Sequence, residues 1–288
     1  MANISGADVK ALREKTGAGI MECKNALLET DGDFAKVEKI LKEKGLAAVE
    51  KRSGRATNQG KVFVKVKDNG ASGAAAALAE LATETDFVAR NPDFITLGGA
   101  IVDRILEKGY AEPNDELNGM VSDLAAKIRE NMGLKRIKTV EAAAGEYLTS
   151  YIHGDGAIGV VVKLAADKAD AFANEELRSF AFTIALHVAA FNPMALDQSK
   201  IDGAWLKEQE GIFRKQIEQD EKMQGKPANV IENILKGKVS KFLKDICLMD
   251  QAYVKDEKMT VAQALADAGK SSGIKLSVAD YVYFKVGE

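Results

Sequence analysis

Apolar positions in the first fifty residues recur at helical spacing. Ser5 can cap a first helix with Asp8 reaching back from three positions on, and Val9 and Leu12 fall on its inward face. Thr16-Gly17-Ala18-Gly19 interrupts the pattern, because glycine reaches backbone angles that other residues avoid, and Ile20 to Glu29 resumes it. Asp31-Gly32-Asp33 closes the second helix. Asp33 caps a third, in which Phe34, Val37, Ile40 and Leu41 repeat at i, i+3, i+4 until Gly45 stops it. Three short helices with so little core read as a recognition module on a larger body.

The segment KRSGRATNQGK, Lys51 to Lys61, is polar, basic and glycine-containing, as a mobile linker is, and a boundary is expected near residue 55. From Lys61 to Lys67 valine and lysine alternate around Phe63, a period-two strand signal, and Asp68-Asn69-Gly70 predicts a hairpin turn. The returning segment GAAAALAEL prefers helix by propensity, so the turn alone argues that it is a strand. Asn91 caps a helix with Pro92 at its first position, running to about Leu106, and a second helix from about Asp115 to Asn131 carries Leu117, Val121, Leu124 and Ile128 on one face.

The order then recurs: strands Tyr147 to His153 and Ile158 to Leu164 around Gly154-Asp155-Gly156, then a helix from Asn174 to Ala190. The two halves share element order, not residues. Two amphipathic helices between Ala204 and Ile246 flank Gly225-Lys226-Pro227, with Ile231, Leu235, Val239, Phe242 and Ile246 striping one arm and Leu206, Phe213 and Ile217 the other. They predict an antiparallel helical hairpin. A helix near Val261 to Ala268 and a final edge strand, Tyr281 to Val286, complete an α+β chain.

Composition changes this picture little. The 288 residues are 46% hydrophobic and 29% charged, with four prolines and a net charge of −3, as in a folded globular protein of about two domains. Broad phosphate neutralisation needs a basic surface, so no direct nucleic-acid binding is expected. Two distant cysteines, Cys23 and Cys247, make neither a disulfide framework nor a metal-ligand spacing. With no apolar leader and no long apolar run, the reading is a cytoplasmic protein without membrane contact.

Enzyme chemistry is poorly represented. The histidines are His153 and His187, and no G-x-S-x-G, H-E-x-x-H or C-x-x-C occurs. His187 sits in FTIALHVAAF, where a core histidine with a satisfied partner is expected. Gly269-Lys270-Ser271 suggests a phosphate loop, but Ala264 occupies the required first glycine position. Gly98 and Gly99 read as positions of close helix packing. No catalytic residue, metal, cofactor or small-molecule substrate is expected.

Two stretches carry a resemblance: LREKTGAGIMECKNAL, Leu12 to Leu27, and ELATETDFVARN, Glu80 to Asn91. They resemble the two signatures of the bacterial elongation factor Ts family, nucleotide exchange factors of elongation factor Tu. GLKRIKTVE, SYIHGDGAIGVVV, ALHVAAFNP, GKPANVIENILKGKVSKFLKD and YVYFKVGE extend the likeness over nearly the whole chain. The resemblance implies a ubiquitin-associated-like three-helix module with its basic linker (1–55), a two-part antiparallel α+β core (56–140, then 141–203 with 247–288) and an inserted helical hairpin (204–246). The stretch Leu81-Ala82-Thr83-Glu84 departs from the usual family residues, and small packing consequences are expected of it.

The same resemblance implies residue roles. Thr85, Asp86, Phe87 and Val88 would disturb the magnesium and phosphate site of a GDP-bound partner, elongation factor Tu, with Phe87 as the wedge. Arg13, Ile20, Met21 and Lys24 would touch the partner's nucleotide-binding domain, and Ile128 and His153 would add contacts. Read without the family, Thr85 caps a turn, Phe87 packs inward, and Ile20 and Met21 belong to the module core. An RNA- or ribosome-binding adaptor is the alternative function.

Overall fold

The computed structural model describes residues 4–68, 73–220 and 223–288. Three helices open the chain: α1 (Gly6–Thr16), α2 (Ile20–Glu29) and α3 (Phe34–Arg52). Ser5 Oγ accepts from the Asp8 N–H while the Asp8 carboxylate accepts from the Ser5 N–H, which satisfies two free donors at the start of α1. Gly17, at φ 68°, ends α1 in the left-handed conformation. Val9, Leu12, Cys23, Ala26, Leu27, Val37 and Leu41 form the small core between them.

Gly45 does not stop the third helix; α3 runs through it to Arg52. A Cβ at Gly45 would lie 3.0 Å from the Cβ of Ala126 on α6 (Asp115–Ile128). The glycine therefore costs helix propensity, about 1 kcal/mol, and returns it as close contact between module and core. The linker is short as a result, residues 53–58 only. It is also pinned, since Asn131 Nδ2 donates to the carbonyls of Ser53 and Arg55 at 3.2 and 2.6 Å.

The core is four layers deep. One antiparallel sheet has the order β1 (Gln59–Asp68), β2 (Ala74–Thr83), β3 (Met132–Ala142), and the other β4 (Glu146–His153), β5 (Ile158–Ala166), β8 (Leu276–Lys285). They face each other through Val62, Ala76, Leu78, Val140, Leu148, Val161, Val282 and Phe284. On the outer side of the first sheet lie α5 (Pro92–Lys108) and α6, packed on Ala77, Ala79 and Leu81; on that of the second lie α7 (Glu175–Phe191) and α10 (Val261–Ser272), packed on Val160, Val162 and Leu164. The alanine run of β2 is a strand because both its faces are buried and both its edges are paired, which overrides helix propensity. Strand β3 was not foreseen in GLKRIKTVE. The expected Asn69-Gly70 turn lies outside the described residues.

Both halves thus share a plan: a hairpin, then helices, then a third strand on the hairpin's second strand. Between α7 and β8 come α8 (Gly203–Gln219) and α9 (Ala228–Ile246), then a ribbon of β6 (Ala252–Tyr253) and β7 (Asp256–Thr260). The two arms meet through Phe242, whose ring lies 5.9 Å from Trp205 and 5.3 Å from Phe213, and bury Ile217, Leu235 and Leu243. Gly98 lets Phe63 lie directly on α5, where a Cβ would come within 2.2 Å of its ring; Gly99 faces open space and has no such role. No described helix is long and apolar enough to cross a membrane.

His187 is fully buried with both ring nitrogens engaged: Nε2 with Gln251 Oε1 at 2.9 Å, and Nδ1 accepting the Val254 N–H at 3.2 Å. Burial holds its pKa below the ordinary 6.5, against the smaller opposing effect of Gln251. As pH falls through that value the unfolded chain gains a proton that the native ring refuses, so stability falls, by up to about 1.4 kcal/mol per pH unit. Urea unfolding at pH 7.5 and 5.5 should show a larger loss for wild type than for His187→Gln. Equal losses would assign the acid sensitivity to other groups.

Candidate functional site

The segment ATETDFVARN turns sharply at the end of β2. Thr85 caps the single-turn helix α4 (Asp86–Ala89), accepting from the Val88 N–H at 3.4 Å. Val88 and Ala89 are buried in the first core, Val88 at 8% exposure, so Val88 anchors the turn. Phe87 points the other way. At 83% exposure it is the most exposed of the large apolar side chains described. Thr85 therefore does cap, as the family-free reading held, but Phe87 does not pack inward. Asp86 beside it is partly exposed and pairs with Arg90 at 3.3 Å.

The turn is held from below by a residue that no motif in the chain singles out. Glu130 accepts from Thr83 Oγ1 at 3.0 Å, from the Thr85 N–H at 3.1 Å and from Thr85 Oγ1 at 2.7 Å. It reaches them because Arg129, closing α6 in the left-handed conformation at φ 69°, swings the chain back toward the turn. Such a conformation costs a non-glycine residue energy and persists only where its surroundings enforce it. Next to it Glu84 accepts from the Asn131 N–H at 2.6 Å and pairs with Arg55 at 3.4 Å. Thr83 and Glu84, expected to matter only for packing, are thus polar ties of the turn. No spacing rule pairs positions 83–85 with 130–131.

On the helical module Arg13, Ile20, Met21 and Lys24 are all exposed, Ile20 by 55% and Met21 by 63%. Ile20 and Met21 are therefore not module core. Their helix is fixed to the body by Glu22, which accepts from the Gly19 N–H at 2.8 Å and pairs with Arg129. The Gly19 hydrogen bond first, then Arg129, hold the Glu22 carboxyl below its usual range. Arg129, the neighbour of Glu130, thus joins the module to the body. Ile128 is half-buried against the first core. His153 is exposed at the β4–β5 turn, its Nδ1 3.0 Å from the Tyr151 hydroxyl.

The surface thus carries an exposed aromatic on a locked turn, an exposed apolar and basic helix face on the module, and an exposed imidazole at the β4–β5 turn. It suits docking to a protein surface better than bond-making. The family model described as Elongation factor TS matches residues 84–288, which includes the Phe87 turn and leaves out the helical module. Full-length relatives cover that module too. A protein named Elongation factor Ts from Treponema denticola is 45% identical over 285 residues, 99% of each chain. Its namesake from Treponema pallidum (strain Nichols) is 41% identical over 290 residues, again 99% of each. One from Clostridium acetobutylicum is 39% identical over 296 residues, 99% of this chain and 93% of the relative. With a family match over most of the chain and such identity from end to end, this chain belongs to the elongation factor Ts family.

Proposed function

We propose that this protein is a guanine-nucleotide exchange factor that acts in the cytoplasm on GDP-bound elongation factor Tu and accelerates GDP release. A GTPase holds its nucleotide through a phosphate-binding loop and a magnesium ion bridging the phosphates, so displacing that region weakens the grip. Phe87 is the wedge, burying its ring in the partner, with Asp86 offering acceptors to the displaced segment and Thr85 holding the turn's shape. Arg13, Ile20, Met21 and Lys24 dock the nucleotide-binding domain, and His153 and the exposed edge of Ile128 extend the contact. In this reading residues 1–55 serve docking, 56–140 and 141–203 with 247–288 are the two core parts, and 204–246 is an arm. No covalent step is required. Nucleotide and exchange factor weaken each other's binding to the same partner, and linkage makes that coupling reciprocal.

The observation that carries this reading is Phe87, left 83% exposed on a turn whose neighbours are buried or hydrogen-bonded. An apolar ring held in water gains free energy only on meeting a partner. The test is release of a fluorescent GDP analogue from purified elongation factor Tu. The release rate should rise with the concentration of this protein and then saturate; a rate that stays at the spontaneous value with active partner would overturn the proposal.

A further inference from the structure

The Phe87 turn rides on the first sheet and the His153 turn on the second, and the sheets meet mainly through apolar side chains. Such contact is non-directional and by itself leaves the relative position of the two turns loosely specified. Polar ties between the sheets supply direction, and nearest the two turns one of them comes from a lysine. Lys61, on the edge strand β1, pairs in register with Leu81, two positions from the Gln59–Thr83 pair that leads into the Phe87 turn. It is only 7% exposed, although lysines are rarely buried unless paired. Its ammonium crosses to the β4–β5 turn, donates to the Asp155 carbonyl at 2.7 Å and meets Asp155 Oδ1 at 2.6 Å. Beside it the Val62 N–H donates to the Gly156 carbonyl at 2.8 Å.

Gly156 completes the device. It stands at φ 93°, and a Cβ there would press to 3.0 Å from the Lys61 stem, so glycine both makes the turn and leaves room for the lysine to cross. Lys61, and more weakly Arg90 at the end of α4, hold the Asp155 carboxyl below its usual range. A second tie elsewhere joins the sheets: Glu80 accepts from the Gly287 N–H at 2.9 Å, and Arg136 donates to the Lys285 carbonyl at 2.8 Å. Sheet packing therefore does not depend on Lys61 alone.

We propose that Lys61 is a positioning residue for exchange, which touches no partner but fixes the His153 turn relative to the Phe87 turn so that one partner surface meets both. The inference rests on the exchange-factor reading of these turns. Its test is GDP release measured with Lys61→Met, which keeps the length and removes the charge, with Lys61→Arg, and with Lys61→Met combined with His153→Ala. Lys61→Met should lose about 10-fold in accelerated release, a coupling typical of residues in one network. Lys61→Arg should restore part of it, and Lys61→Met should cost less than about 2-fold once His153 is already alanine. A purely structural role would give losses that multiply in full.

Lys61→Met with wild-type exchange, or full multiplication with His153→Ala, would overturn the proposal. If Lys61→Met does not fold by circular dichroism, Asp155→Asn decides, because it removes the charge of the exposed side chain and still suits the left-handed backbone, φ 55°, of that position. A loss of about 3-fold supports the proposal and none overturns it. Failure of the wild type to accelerate release is a separate result that removes the exchange reading and this inference together.

Discussion

Phe87→Ala is expected to lower accelerated GDP release by about 30- to 150-fold, the equivalent of about 2–3 kcal/mol for one buried aromatic side chain. The ring makes almost no contact within the chain, being 83% exposed, so thermal unfolding of the variant should match wild type to within about 0.5 kcal/mol. That separation between function and stability makes the variant informative. The loss should persist at saturating exchange factor, because a wedge acts on the barrier to release and not only on docking. Phe87→Leu, which keeps apolar volume, should retain part of the activity. Release at the wild-type rate by Phe87→Ala would keep exchange as the function and remove the wedge as its cause.

Glu130→Ala is expected to have the next largest effect, through a different route. Its carboxylate takes three donors from Thr83 and Thr85, and Thr83 has no exposed surface from which water could replace it. Leaving such donors unpaired costs about 1–3 kcal/mol, so unlike Phe87→Ala this variant should unfold at lower temperature. Its exchange should fall about 20-fold, since a turn that must be ordered on binding spends part of the contact energy on its own ordering. Amide hydrogen exchange at residues 84–90 should quicken in Glu130→Ala and remain unchanged in Phe87→Ala. Glu130→Gln keeps an acceptor oxygen and should fall between. Unchanged amide protection in Glu130→Ala would mean that packing of Val88 and Ala89 alone holds the turn.

Local chemistry that repeats at fixed spacing was legible in the chain. Ser5 with Asp8, Asp33, and Asn91 before Pro92 cap the helices they were expected to cap, because capping joins residues two or three positions apart. The alternation after Lys61 and the glycine turn after His153 likewise yielded their strands. Periodicity misread Gly45, where the partner that rewards the glycine, Ala126, is 81 positions away. It also missed β3, whose buried positions, 132, 134, 137, 140 and 142, do not keep a period of two because the pairing with β2 shifts register near Leu134.

The candidate site divides along the same line. Its segment, TDFV, came from resemblance in the sequence, whereas the exposure of Ile20 and Met21 was decided by the packing of the three helices. Whether Phe87 faced in or out was open until the fold placed Val88 in the core and Glu130 under Thr85, because a four-residue turn has no periodicity to set its facing. The alternation around Lys61 makes a lysine look solvated, and only the second sheet turns it into a buried tie to Asp155. The caps, most of the elements and the family were legible from the residues alone, since all of them depend on near neighbours or on residue identity. The tertiary structure alone decided which side chains lock the turn and which are left free, since those partners, 83–85 with 130 and 61 with 155, meet only after long loops have closed.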